Sequence, residues 1–121
     1  MAVSPDALLT AAEAMGLGSD EVDWRNATSH AYYAAFHRSR FLIEEQGPQA
    51  IRSHSAHLDV IEPLTNSANS NDLRSIGHML NFCRMLRIVA DYEIQDAFPK
   101  GDAETALEQA RRVLAKAAAV P

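Results

Sequence analysis

One cysteine, Cys83, is the chain's whole supply of thiol. A lone thiol can neither staple a fold nor build a zinc cluster, and the apolar neighbours of Cys83 mark it as buried and inert. Also missing is any apolar run near the roughly 18 residues that span a bilayer. The start, MAVSPDALL, has neither the basic head nor the long apolar stretch of a signal peptide, so a cytoplasmic protein is expected. No glycine-rich phosphate loop occurs, which removes the common nucleotide-cradling motifs. Net positive charge is lacking as well. At a formal charge of −5 the chain cannot be a general nucleic-acid coat, which needs broad cationic surface to displace counterions.

What is present is an ordinary globular composition, 47% hydrophobic and 22% charged. The 121 residues suffice for a single domain, residues 1–121, that buries a core without disulfides or a structural metal. Charge is unevenly spread. Met1 to Asp23 holds five acids and no base, whereas Trp24 to Tyr92 holds seven arginines against six acids, and all five histidines. A local basic or titratable surface is therefore available mid-chain, more so if two copies pool it.

Periodicity divides the chain into helices. Ser4 and Pro5 form a cap and first-turn pair for a short helix with Leu8, Ala12 and Met15 on one face. From about Asp20 to Gln46 no glycine or proline occurs, and Gly47-Pro48 then stops the run. On this long helix Trp24, Ala31, Ala35 and Leu42 share one side with Tyr32, Phe36 and Ile43 at its flank, which is the expected core face. The other side stacks Asn26, His30, Tyr33, His37, Arg40 and Glu44 into a polar stripe.

A third helix should start near Ser53 and kink or end at Pro63, and TNSANSND reads as a polar loop. The fourth, from Asn71 or Asp72, carries Ile76, Met79, Cys83, Leu86, Ala90 and Ile94 along one side, with Arg84, Arg87 and Asp91 on its margin. After FPKGD, with Asp102 as the expected cap, a last helix repeats Ala103, Leu107, Ala110, Leu114 and Ala117. No segment alternates like a strand. The expectation is an all-α, up-and-down bundle of four to five helices.

Three elements then stand out together: RNATSHAYYAAFH from Arg25 to His37, SHSAHL from Ser53 to Leu58, and RIVADY from Arg87 to Tyr92. In this order, ahead of an alanine-rich last helix, they resemble the HEPN domains, small helical proteins of prokaryotic toxin–antitoxin, defence and RNA-processing systems. The resemblance implies a HEPN-like homodimer, often paired with a nucleotidyltransferase-fold partner protein. It also implies RNA as a substrate, cut without a metal by an arginine followed, after four to six residues, by a histidine.

Here the pattern departs. After Arg84 the histidine positions hold Val89, Ala90 and Asp91, and after Arg87 they hold Tyr92, Glu93 and Ile94. Cleavage of RNA without metal needs a base for the 2′-hydroxyl, and Tyr92, with a reference pKa near 10, is a poor one. Arg84 and Arg87 can still grip a phosphate bidentately. RNA contact with weak or lost cleavage is therefore expected.

The catalytic candidates are Arg84, Arg87 and Tyr92. The binding candidates are Arg84, Arg87 and Asp91 with His30, Tyr33, His37 and Arg40. Each has a plainer reading: Arg87 and Asp91 as an exposed four-residue-spaced pair, Tyr33 and His37 as a hydrogen-bonded packing network. His54 and His57 are spaced for two metal ligands on one face, but no third ligand accompanies them and the resemblance assigns them to capping and packing. No metal and no cofactor are expected. The competing functional reading is a noncatalytic interaction module that works by contact alone.

Overall fold

A computed structural model of the chain describes residues 3–45, 56–68 and 70–120. The described residues form five helices, α1 (Pro5–Gly16), α2 (Glu21–Glu45), α3 (Ala56–Thr65), α4 (Asn71–Tyr92) and α5 (Lys100–Ala119), and no strand. None of these helices is long and apolar enough to cross a membrane. The all-α bundle expected from the periodicity is what forms. Gly47-Pro48, Ser53 and His54 lie outside the described residues.

Helix α2 is the axis of the bundle, packing against α1, α4 and α5 and more lightly against α3. Small side chains make this possible: Ala27, Ala31, Ala34 and Ala35 are fully buried, so neighbouring helices approach its backbone closely. The predicted core side of α2 is buried at Ala31, Tyr32, Ala35, Phe36 and Leu42. On α5 all five predicted core positions are buried too. At α1 the Ser4 hydroxyl accepts from the Ala7 N–H at 3.1 Å, as its cap role requires. A close approach between α3 and α4 needs Gly77, where an added Cβ would lie 2.7 Å from the backbone nitrogen of Thr65.

Several expectations change. Pro63 lies inside α3, two residues from its end, where it removes one late backbone bond without breaking the helix. The Thr65 hydroxyl donates to the carbonyls of Ile61 and Glu62 at 3.1 and 3.3 Å and closes that end. Asp102 does not cap α5. The cap position is Pro99, without a side-chain bond, and Asp102 sits in the first turn with its N–H on the Pro99 carbonyl. Ile94 is exposed because α4 ends at Tyr92, while Leu80, absent from the predicted stripe, is fully buried. Trp24 is half-buried against the small cluster of Ala90, Phe98 and Ala103, and its indole N–H donates to the Gly18 carbonyl at 2.9 Å.

The C-terminal end of α4 is closed from outside. Helix α4 has no basic residue in its last turn, so its free carbonyls and partial negative charge need a donor from elsewhere. Arg25 of α2, 9% exposed, supplies it. Its Nη1 donates to the Ala90 carbonyl at 2.9 Å and lies 3.5 Å from that of Val89. Its Nη2 donates to the carbonyls of Asp96 and Glu93 at 2.5 and 3.3 Å. Glu21 completes the group, its carboxylate 3.4 Å from Arg25 Nε and accepting the Phe98 N–H at 2.6 Å. The sequence alone had not marked Arg25 for this role.

Candidate functional site

Between one and a little over two turns back from that closed end, Arg87 and Arg84 project from α4 toward the tyrosine pair of α2. Their spacing of three puts both on one side of the helix, and the aromatic residues at 32 and 33 meet them because α2 and α4 pack directly. The two arginines then fare differently.

Arg87 is fully engaged. Its Nε lies 2.8 Å from Asp91 Oδ2, an ion pair whose N–H does not point along the contact. Its Nη2 donates to the Tyr33 hydroxyl at 3.0 Å. The guanidinium stands 5.4 Å from the Tyr33 ring centre, 5.6 Å from that of Tyr92 and 5.9 Å from that of Tyr32, all within cation–π range. The Ser29 hydroxyl of α2 donates to the same Asp91 Oδ2 at 3.2 Å. The pair is partly buried, 13% and 28% exposed at the side chains, so it is not the solvated surface pair of the plainer sequence reading.

Arg84 has no such partners. Its Nε is buried, and among the described residues it makes no hydrogen bond or ion pair. Asp91, the carboxylate paired within this cluster, is taken by Arg87, so among the described residues Arg84 carries its charge without an ion pair in a half-buried position.

Its field reaches two groups behind the arginines. The Tyr32 hydroxyl and His57 Nδ1 are 2.5 Å apart, joining α2 to α3, and the two rings are 5.4 Å apart between centres. Burial, opposed by the nearby Arg84, pushes the Tyr32 phenol well above its ordinary value. His57 is held below the ordinary imidazole value, first by desolvation and then by the charges of Arg84 and Arg87. The imidazole is therefore neutral at pH 7. Cys83 is buried beneath the site, its thiol pushed up to about 12 by desolvation, as inert as its sequence context indicated.

The other candidates lie apart. His30 is exposed and turns back to its own helix, with Nδ1 2.8 Å from the Asn26 carbonyl. Arg40 is exposed and paired with Glu44 at 3.4 Å; seven residues beyond Tyr33, it stands about 10 Å along the helix axis. His37 packs beside Phe36, with ring centres 5.3 Å apart, and lines a groove with Val3, Leu8 and Phe41. Tyr92 is 68% exposed at the rim of the arginine cluster. Sequence reasoning missed His57 and Tyr32 as members of the cluster. A signal existed, since a buried tyrosine needs a partner for its hydroxyl.

The fold and this cluster define a class: a helical bundle whose fourth helix sets two arginines against a tyrosine pair. The HEPN domain family model matches residues 7–119 of the chain. The protein belongs to the HEPN family. No curated protein and no solved structure matches it.

Proposed function

We propose that the protein is a cytoplasmic HEPN homodimer of a toxin–antitoxin or stress- or phage-defence system, which binds RNA at the Arg84 margin and cuts it weakly. The observation that carries this reading is Arg84 itself. A half-buried guanidinium without a counter-ion among the described residues carries a standing cost, and a phosphodiester is the ligand that removes it by bidentate contact. Arg87, already bonded to Asp91 and Tyr33, positions the site rather than gripping the ligand. Tyr92, exposed at the rim, offers a face on which a base can stack. With a net charge of −5, affinity must come from one local site and not from the whole surface.

Pairing is supported by α4. Phe82, Met85, Val89 and Tyr92 are all exposed and recur at helical spacing, giving an apolar stripe beside the arginine margin. Two copies meeting there would bring their Arg84 residues to one seam. The same stripe supports a second reading, in which a nucleotidyltransferase-fold partner covers it and the domain works by contact alone.

Fluorescence anisotropy with single-stranded RNA, alongside light scattering on the purified protein, tests the reading. Wild type should bind as a dimer, Arg84→Glu should lose about tenfold or more in affinity, and Met85→Arg should dissociate the dimer. Equal RNA affinity in wild type and Arg84→Glu would remove the site. A chain that stays monomeric on its own but binds a nucleotidyltransferase-fold protein would favour the contact reading.

A further inference from the structure

Arg25 closes the end of α4, and the end of α2 has no such donor among the described residues. The last turn of α2 carries Glu44 and Glu45 and no base. Two carboxylates therefore stand at the negative end of the helix dipole, where a cation is favoured. Arg40 faces Glu44 at 3.4 Å, but both side chains are more than half exposed and solvent weakens the pair. Arg38 is drawn elsewhere: its Nη2 donates to the Ala117 carbonyl of α5 at 3.2 Å, and its Nη1 stands 3.9 Å from Glu45. With Asp6 in the first turn of α1, three carboxylates at this pole face two guanidiniums.

Beside these charges runs an apolar groove. Between the start of α1 and the second half of α2, Val3, Pro5, Leu8, His37 and Phe41 line a recess of about 340 Å³. Through Pro5 and Phe41 it joins a second recess of about 580 Å³, bordered by Asp6, Arg38, Glu44 and Glu45. Pro5 is buried and Leu8 packs on the main core, so the floor is fixed. His37 is held edge-on against Phe36 at an interplanar angle of 75°. Val3 stays exposed at the mouth. From His37 to Glu45 the groove follows α2 for about 12 Å, two turns of a helix laid along it.

We propose that this groove docks an amphipathic basic helix of a partner protein. Apolar side chains one turn apart on that helix enter between Leu8 and Phe41. Lys or Arg on its flank reaches Glu44 and Glu45 and supplies the cation that the end of α2 favours. Charge selects this occupant. An acidic segment or an anionic lipid surface meets like charge here, and a second copy pairing groove to groove brings the same three carboxylates. The docking site is separate from the RNA reading, since Arg84 lines neither recess.

Fluorescence anisotropy on the intact protein tests this, with a labelled synthetic helix carrying leucines at helical spacing on one face and lysines on the other. Two control peptides accompany it, one with every leucine changed to alanine and one with every lysine changed to glutamate. Wild type should bind the first peptide in a single saturable step, and each control about tenfold or more weakly. Phe41→Ala should cost about tenfold in affinity. Glu44→Gln combined with Glu45→Gln should cost several-fold and flatten the dependence on salt. Val3→Arg, at an exposed position, should block the groove by bulk and charge, and it keeps the test readable should Phe41→Ala fail to fold. Arg84→Gln should leave peptide affinity within about twofold of wild type. Binding that is indifferent to Val3→Arg and to the glutamate pair overturns the proposal. So does a wild type that takes the glutamate peptide equally well or shows no saturable binding. A dimer lost in Val3→Arg, with no peptide bound by wild type, would give the groove to a second copy and overturns it too. RNA binding measured in the same samples reports on Arg84 alone, so the two readings stand or fall apart.

Discussion

Two arginines contact the far half of α4 and share almost nothing else. Arg25 sits at its C-terminal end with every nitrogen committed to a carbonyl or to Glu21. Arg84, two turns back, has a buried Nε without a hydrogen bond and no ion pair among the described residues. Arg25 is buried and Arg84 half-buried, so both lose hydration, and among the described residues Arg25 recovers it through hydrogen bonds while Arg84 does not. A fold that completes one cation and leaves another unfinished divides the work: the first holds the bundle together, the second is kept for something outside it.

The sharpest break of this comparison is Arg25→Ala. It would leave the carbonyls of Ala90, Glu93 and Asp96 without their donor and remove the guanidinium stacked 5.4 Å from Phe98. Urea unfolding should show a loss of about 3 kcal/mol or more, because charged hydrogen bonds contribute roughly 1.5–3 kcal/mol each and orphaned groups add to that. Arg25→Lys should recover little, since one ammonium cannot reach a set of carbonyls arranged for a fork. Arg84→Ala should go the other way, leaving stability within about 0.5 kcal/mol of wild type or above it, because it removes a charge that no described residue pairs with. A loss for Arg84→Ala matching that of Arg25→Ala would mean that Arg84 is structural.

The helices were legible in the sequence because their signals are local. Ser4-Pro5, the alanine-rich run of α2 and the heptad-like spacing of α5 each act within a few residues. The pairing of Arg87 with Asp91 was legible for the same reason, being one turn apart. Arg25 was not: its carbonyl partners lie 64 to 71 residues away, and nothing local distinguishes it from Arg38 or Arg40. His57 was not, because its meaning depends on Tyr32, 25 residues earlier, and on Arg84 on a third helix. The polar stripe of α2 was read as one surface, but α4 covers Tyr33 while leaving His30 and Arg40 in solvent.

Asp91→Asn sharpens the comparison at intermediate size. It would release Arg87 from its ion pair and leave two guanidiniums without a paired carboxylate among the described residues, where wild type has one. Stability should fall by about 1 kcal/mol, in the range of a partly exposed pair with good geometry. Affinity for inorganic phosphate or RNA, read by calorimetry, should rise as the pocket gains positive charge, with a steeper dependence on salt. An unchanged anion affinity would show that Asp91 does not set the charge of the site.

The smallest effect is in pH, and it separates the two regions by where along the scale each responds. His57 is held below its ordinary value of 6.5, so the unfolded chain binds its proton more readily than the fold does. Stability from this group is complete above pH 6.5 and is lost as pH falls toward its folded value. Glu21, at the Arg25 end, is held below the ordinary 4.5, first by the Phe98 N–H and then by the charge of Arg25. Its contribution is complete above that value and is lost only as acid protonates the folded carboxylate. Thermal melts between pH 7 and pH 3 should therefore show two shallow declines. His57→Gln should flatten the one nearer neutrality and leave the acid one, and Glu21→Gln should do the reverse. A single decline abolished by either variant would mean that the two ends of this bundle are one electrostatic unit.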